Sequence, residues 1–391
     1  MDAISNPYSP GAGLRPPLLA GRQPEVDAFD AVLRRGELGR VSRGIMLSGL
    51  RGVGKTVLLN EMAARAEVSR WITVQLEVSP GGATAALSSL ASALSLAIRR
   101  QHGPRLSAIA RRALSSITGF SITVDPTGTL SGSIEASVDA DPLRSGNLET
   151  DFASLAVDVG QAALEAGIGA AIFIDELQEL DKPSMASLAA AVHLAGQRGV
   201  PFIVVGAGLP NLPGKLAEAK SYAERLFDYR QLGKLPGSTA AQALAGPASD
   251  AGITWLDEAL AATINAADGH PYFLQEFGAA TWNVSAGPVI TERDAANGIL
   301  LGQAKLDGGF FQSRWHRATA TEQTFLRAMA DDDGEDSRTP VVAARLGRTM
   351  SNVGPIRAGL IGKGLIYAPE YGRLAFTVPG MAAFIRRQID E

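Results

Sequence analysis

Apolar and polar positions along the chain follow two periods, and the place where the period changes divides it. Up to Pro236, short apolar or alternating runs of strand length are separated by stretches with helical spacing. Gly44–Ser48 reads as a buried strand, and residues 57–65 after it carry apolar residues at helical spacing. Trp71–Val78 alternates and is rich in β-branched residues, which predicts a second strand. Residues 170–176 and Val200–Gly208 are continuous apolar runs, the pattern of parallel strands covered on both faces, and Tyr229–Leu235 predicts a last strand. Helical spacing at 83–100, 106–114, 148–166, 184–197 and 217–227 fills the intervals. Strand alternating with helix predicts an α/β fold, a doubly wound parallel sheet with right-handed crossovers. Inside it, 119–124 and 132–138 alternate around Asp125-Pro126-Thr127-Gly128, so a β-hairpin insertion is expected near 119–138.

After Pro236 the strands stop. Helical segments at 239–248, 256–268, 272–284 and 292–307 are broken at Gly252, at Gly269-His270-Pro271 and at Gly287-Pro288, which predicts a helical lid over 237–309. From Phe310 a capped helix at 321–330, an acidic loop at 331–336 and two short helices at 341–346 and 352–363 lead to two runs flanking the turn Glu370–Arg373. Three helices and a two-stranded wing describe a C-terminal winged helix-turn-helix over 310–391. Residues 1–20, with Pro7, Pro10, Pro16 and Pro17 among Gly and Ser, predict an extended N-terminal arm, leaving 21–236 as the core.

Composition narrows the chemistry. The formal net charge of −4 on 391 residues supplies no overall cationic field, so any basic surface must be local. With no cysteine, disulfides, thiolate metal sites and thiol nucleophiles are excluded. The four histidines lack ligand spacing, and His270 is expected to have a structural or supporting role. No basic segment followed by an apolar one opens the chain, and no uncharged apolar run reaches membrane-spanning length, so a cytoplasmic protein without membrane contact is expected.

The stretch Gly49–Thr56, GLRGVGKT, matches the phosphate-binding pattern G-x-x-x-x-G-K-[ST] at every fixed position, and it joins a buried strand to a helix N-terminus. Gly49, Gly52 and Gly54 let the backbone curl so that N–H groups point inward, where the helix dipole adds positive potential. Nucleotide contacts are therefore expected from Gly49, Arg51, Gly52, Val53, Gly54, Lys55, Thr56 and Val57. Lys55 is the mobile charge for the β- and γ-phosphates, and Thr56 supplies a hydroxyl to Mg²⁺. Asp175 and Glu176 end an apolar strand whose carboxyl end faces the ligand edge of such a sheet. Asp175 is placed to hold Mg²⁺ through water, and Glu176 to act as general base on the attacking water. Phosphate loop and Asp-Glu strand in this order indicate an ATP-hydrolysing site.

From about Gly21 to Ile385 the chain resembles AAA+ type P-loop ATPases of the branch containing the origin-recognition and STAND signalling ATPases. The resemblance rests on GLRGVGKT and IFIDE, with Gly21-Arg22 and Gly269-His270-Pro271 as weaker matches. It implies that Arg22 touches the adenine or ribose, that Pro271 packs near the base, and that Arg225 is an arginine finger reaching a neighbouring protomer's site. A salt bridge within its own helix is the alternative for Arg225. The strand ending in Val205–Gly208 departs from the pattern by lacking a polar residue to sense the γ-phosphate, leaving Asn211 as the substitute, and no lid arginine of the second sensor type is evident. Slow turnover is the expected consequence.

Two functions fit these readings. In the first, ATP binding controls homo-oligomer assembly and docks the winged helix on duplex DNA through Arg345, Arg348, Arg357, Lys363 and Arg373. In the second, a STAND-like signalling ATPase uses the winged helix as a regulatory lock and binds no DNA.

Overall fold

The structure, a computed structural model, describes residues 1–102, 107–124, 145–332 and 336–388. By packing, the chain forms two units: a sheet unit of Pro24–Ser48 and Leu58–Gln231, and a helical unit of Met1–Gln23, Gly49–Val57 and Leu232–Glu391.

In the sheet unit, α1 (Gln23–Glu37) precedes β1 (Gly44–Ser48), and α2 (Lys55–Val68) precedes β2 (Ile72–Glu77). Three helices, α3 (Ala83–His102), α4 (Ala108–Val124) and α5 (Leu148–Glu165), lead to β3 (Ala170–Asp175). Then come α6 (Lys182–Gln197), β4 (Phe202–Gly208), α7 (Leu212–Ala219), α8 (Ala223–Leu226) and β5 (Phe227–Gln231). The five strands are parallel in the order β2-β3-β4-β1-β5. Every residue of β1, β3 and β4 is buried, because these central strands are covered on both faces; β2 and β5, at the edges, leave residues exposed. Trp71 is locked in place by small neighbours: a Cβ on Gly36 or Gly169 would come within 2.3 or 2.5 Å of its ring.

Residues 119–124 are the last turns of α4 and not a strand of a hairpin. Ala113, Ile117 and Phe120 are buried at helical spacing, and Phe120 stacks on Phe152 of α5 with ring centroids 5.1 Å apart. That longer period outweighs the short alternation of Phe120, Ile122 and Val124. A buried carboxylate joins the same pair of helices, since Asp158 accepts from Ser116 at 2.5 Å and pairs with Arg112 at 3.0 Å. The rest of the expected hairpin, through residue 138, lies outside the described residues.

The helical unit contains α9 (Gly237–Asp250), α10 (Asp257–Ala267), α11 (Pro271–Val284) and α12 (Glu292–Lys305), with a short parallel pair of β6 (Thr254–Trp255) and β7 (Val289–Ile290). A π-helical turn, Leu306–Phe311, runs into α13 (Gln312–Trp315) and α14 (Ala320–Ala330). Beyond lie β8 (Asp336–Arg338), α15 (Thr339–Arg345), α16 (Met350–Gly362), β9 (Ile366–Tyr367), β10 (Arg373–Phe376) and α17 (Met381–Arg387). The antiparallel sheet β8-β10-β9 has one strand more than the pattern predicted, because the polar Asp336-Ser337-Arg338 gives no strand signal. A single apolar core extends from Tyr8 to Ile385 through this unit.

The proline-containing N-terminal arm is part of that core. Tyr8 is buried, its hydroxyl donating to the Leu244 carbonyl at 2.6 Å and accepting from Trp255 Nε1 at 3.0 Å. Trp282 Nε1 donates to the Asp2 carbonyl at 2.9 Å, and Asn6 donates to the Ala279 carbonyl at 3.0 Å. Among the described residues, no helix is long and apolar enough to cross a membrane.

Candidate functional site

Three glycines shape the loop between β1 and α2, for different reasons. Gly52 and Gly54 have φ of +80° and +92°, a region side-chain-bearing residues rarely occupy. At Gly49 a Cβ would come within 2.4 Å of the Leu232 carbonyl oxygen. Lys55 opens α2 with its ammonium buried and donating to the carbonyls of Gly49 and Leu50, both at 2.9 Å. Arg22 donates to the carbonyls of Val53 and Gly233 at 3.0 Å each, so this arginine is brought onto the loop. Thr56 lies beside the N-terminal arm, its methyl 3.4 Å from where a Cβ on Gly13 would be. Pro271 begins α11, and the next residue, Tyr272, donates its backbone N–H to the Gly52 carbonyl at 3.2 Å.

His270 is the side chain that ties this helix start to the loop. Its Nε2 lies 3.0 Å from the Arg51 carbonyl, which can only accept, so the proton sits on Nε2 and the buried Nδ1 is bare and unpartnered. Burial pulls its pKa down to about 4; the Arg51 carbonyl opposes the shift, Lys234 and Lys55 reinforce it, and Asp268 works against it. The imidazole is neutral at physiological pH. A Cβ on Gly52 would approach its ring to 2.6 Å, so glycine there serves contact as well as conformation.

A second tie comes from the C-terminal module. The Arg51 N–H donates to the carbonyl of Thr377, just past β10, at 2.9 Å. Thr377 is fully buried and its hydroxyl donates to the Gly364 carbonyl at 2.8 Å. Gly364 in turn lies against the Arg51 guanidinium, where a Cβ would be 3.2 Å from a guanidinium nitrogen. The first of these contacts joins two backbone groups and is invisible to a reading of side-chain types.

In the sheet unit, Asp175 is buried at the end of β3 and accepts the Glu176 N–H at 2.8 Å. Glu176 then takes the left-handed conformation (φ 51°, ψ 38°), which costs a residue with a side chain on the order of 1 kcal/mol. Gln178, which sequence reasoning did not single out, holds it: Nε2 donates to the Glu176 carboxylate at 2.5 Å, while Oε1 accepts the Leu209 N–H at 3.0 Å. A Cβ on Gly208 would lie 2.6 Å from that Oε1, so the glycine at the end of β4 makes room for an amide supplied by another segment. Asn211 stands at the cap of α7 without a side-chain capping bond, its Oδ1 buried and unpartnered. Because β4 alone separates β3 from β1 and all three are parallel, Asp175 and Ser48 end at the same edge of the sheet.

Residues 18–205 match the AAA ATPase domain. The matched stretch holds the phosphate loop, the Asp-Glu strand and Gln178. Residues 308–385 match a domain of unknown function (DUF8462). Among solved structures the chain is similar to the Walker-type ATPase PabY2304 of Pyrococcus abyssi, at 15% identity over 94% of this chain and 96% of that one, with a TM-score of 0.57. It is also similar to the Aeropyrum pernix ORC2 protein in its ADP form, at 14% identity over 96% and 95% of the two chains, with a TM-score of 0.51. At these identities the likeness is one of fold, a P-loop α/β sheet. No curated protein sequence matches the chain.

Two other groups of cations have defined surroundings. Arg225, in α8 beyond the matched part of the AAA domain, lines an open cavity of about 590 Å³ together with Arg35, Arg43 and His193, and no carboxylate lines it. Of the five cations proposed for DNA, three are engaged inside the C-terminal module. Arg345 bonds the Ala328 carbonyl and pairs with Asp332 at 2.6 Å, Lys363 pairs with Glu322 at 2.5 Å, and Arg373 pairs with Asp336 at 2.5 Å. Arg348 and Arg357 make no ion pair among the described residues.

Proposed function

We propose that the chain is an ATP-binding and ATP-hydrolysing switch of the AAA+ type in which a C-terminal winged helix-turn-helix acts as a regulatory lock. The observation that carries this reading is the attachment of the phosphate loop at Arg51, through its N–H to Thr377 and through its carbonyl to His270. A loop so held reports its own conformation to both the lid and the C-terminal module.

The residues fit a nucleotide and its metal. Gly52 and Gly54 give the cradle, and the start of α2 places amide N–H groups where phosphate oxygens are stabilised. Lys55, parked on the carbonyls of Gly49 and Leu50, is released to the β- and γ-phosphates on binding. The Thr56 hydroxyl and the Asp175 carboxylate would hold Mg²⁺, which supplies charge neutralisation for the transferring phosphoryl group. Glu176 orients the attacking water and accepts its proton, with Gln178 fixing the direction of the carboxylate. Arg22 steadies the loop at Val53, and Arg22 and Pro271 are the residues that would meet the nucleoside.

The lock is favoured over DNA docking because Arg345, Lys363 and Arg373 already have internal partners, which removes most of the free positive charge of the recognition surface. Lys55→Ala should reduce ATP binding at least about tenfold, the order expected when a charge-assisted phosphate contact is lost. Binding at the wild-type level would remove the phosphate-loop assignment. Sizing the full chain with ADP, with a non-hydrolysable ATP analogue and with duplex DNA separates the two functions. Nucleotide-dependent assembly without DNA binding supports the lock, whereas DNA affinity falling linearly on a log–log salt plot would restore the docking function.

A further inference from the structure

We propose that the open cavity walled by Arg35, Arg43, His193 and Arg225 is a second ligand site of this chain, separate from the phosphate loop, and that its ligand is a small molecule carrying two phosphate groups, linked as a diphosphate or held close together. The proposal goes beyond the ATP-driven switch and does not depend on it. It also needs no neighbouring protomer, unlike a finger function of Arg225.

The topology puts this cavity at the edge of the sheet where the strands begin. Gly44, the first residue of β1, pairs with Phe227, the first of β5. Arg43 directly precedes Gly44 and Arg225 comes two residues before Phe227, so the two arginines stand at the entries of neighbouring parallel strands. His193 and Gln197 belong to the last turns of α6, which leads into β4 on the other side of β1, and Arg35 to the last turn of α1. Ser48 and Asp175 end their strands at the opposite edge, and the four steps of β1 from Gly44 to Ser48 span about 13 Å. The cavity and the acidic strand tip are therefore different sites.

The walls are held by contacts among themselves. Arg35 donates from Nε to the Ser42 hydroxyl and from Nη2 to the Val41 carbonyl, both at 3.0 Å, which fixes the loop that presents Arg43. The His193 ring lies on Tyr222 with centroids 4.8 Å apart. Its Nε2 is 3.1 Å from the Gln197 amide nitrogen, which can only donate, so in the neutral ring the proton sits on Nδ1 and is a further donor. The side chains of Arg43 and Arg225 make no hydrogen bond or ion pair among the described residues, and no carboxylate lines the cavity; Glu224, next to Arg225 in the chain, is not part of the wall. Guanidinium groups that front one space without a counter-charge attract an anion, and their forks match phosphate oxygens two at a time. Three such groups exceed what a single phosphate engages, which is why the ligand carries two. A volume of about 590 Å³ is that of a small-molecule site, and this favours a compact phosphorylated ligand over a polymer.

The test is calorimetric titration of the full chain with inorganic phosphate and with pyrophosphate in a Lys55→Ala background, which takes away phosphate binding at the loop. One pyrophosphate per chain should bind, at least about tenfold more tightly than phosphate, and adding Arg43→Gln or Arg225→Gln should weaken it by about tenfold or more, the difference made by one charge-assisted contact. With Lys55 intact, Arg43→Gln should leave the affinity of the loop for a non-hydrolysable ATP analogue within about twofold. Loss of all pyrophosphate binding on Lys55→Ala alone, affinity indifferent to both arginines, or equal affinity for phosphate and pyrophosphate would overturn the proposal. So would binding seen only where sizing shows assembled chains, because a neighbour would then complete the site. Arg43-dependent binding of a short DNA duplex with none of pyrophosphate would also overturn it, and make the edge a nucleic-acid surface. Both arginines are exposed, and melting of each variant checks that the fold survives; should one fail, the other carries the comparison.

Discussion

The main-chain nitrogen of Arg51 donates to the main-chain carbonyl of Thr377 at 2.9 Å, so a residue of the phosphate loop and a residue at the end of β10 share one hydrogen bond. Thr377 is held in turn by its hydroxyl on Gly364, and the Arg51 carbonyl is held by His270. These two ties on Arg51 are what the proposed regulatory lock rests on.

His270 should make stability depend on pH. In the unfolded chain its imidazole takes up a proton near pH 6.5, but in the folded chain only near pH 4. The unfolded state therefore binds more protons between these values, and stability is complete above pH 6.5 and lost as pH falls toward 4. The loss attributable to this residue is roughly 3 kcal/mol at pH 4, from a shift of roughly 2.5 units at about 1.4 kcal/mol each. Chemical denaturation across this range should show a smaller acid loss in His270→Gln than in wild type; parallel curves would disprove the assignment.

Glu176→Gln should retain ATP binding and hydrolyse about 10²- to 10⁴-fold more slowly, the usual contribution of a positioned base. Gln178→Leu should also retain binding, lose turnover by a smaller factor, and destabilise the fold by about 1–3 kcal/mol because the Leu209 N–H is left unpaired. Single-turnover assays with bound ATP separate the two steps, and unaltered turnover in Glu176→Gln would mean that another group is the base.

Arg225→Ala should leave nucleotide binding unchanged. If the residue acts as a finger across a protomer interface, hydrolysis by the variant alone falls by about 10³-fold or more. Mixing it with Glu176→Gln protein should then restore part of the rate, because one composite site recovers both groups. Absence of any complementation at concentrations where the chains associate would confine Arg225 to the cavity it shares with Arg35 and Arg43.

Tyr8→Phe should cost about 2 kcal/mol, because a buried carbonyl at Leu244 and the Trp255 N–H both lose their partner. Thermal unfolding should show a drop of several degrees, and an unchanged melting temperature would mean that the arm contributes nothing to the fold.

Much of the site was legible because its chemistry is written in short spacing. The loop Gly49–Thr56 announces itself by glycines whose backbone conformation no other residue reproduces, and Asp175 by its place at the end of a run too apolar to be anything but a central strand. Gln178 was not legible, since a glutamine two residues past an acid has no distinctive pattern; only the nearness of Gly208 and Leu209 gives it a function. Residues 119–124 were misjudged because six residues fit a period of two while the burial of Ala113, Ile117 and Phe120 follows a longer one.

The amino-acid sequence by itself determined the phosphate loop, the acidic strand tip and the alternation of strand with helix, since each depends on conformations and periods set within a few residues. Only the tertiary structure decided that Arg51 meets Thr377 and His270 and that Tyr8 of the N-terminal arm is buried. These depend on main-chain groups and side chains brought together from distant segments. A peptide N–H or carbonyl is the same in every residue, so its choice of partner leaves no mark on the order of side chains.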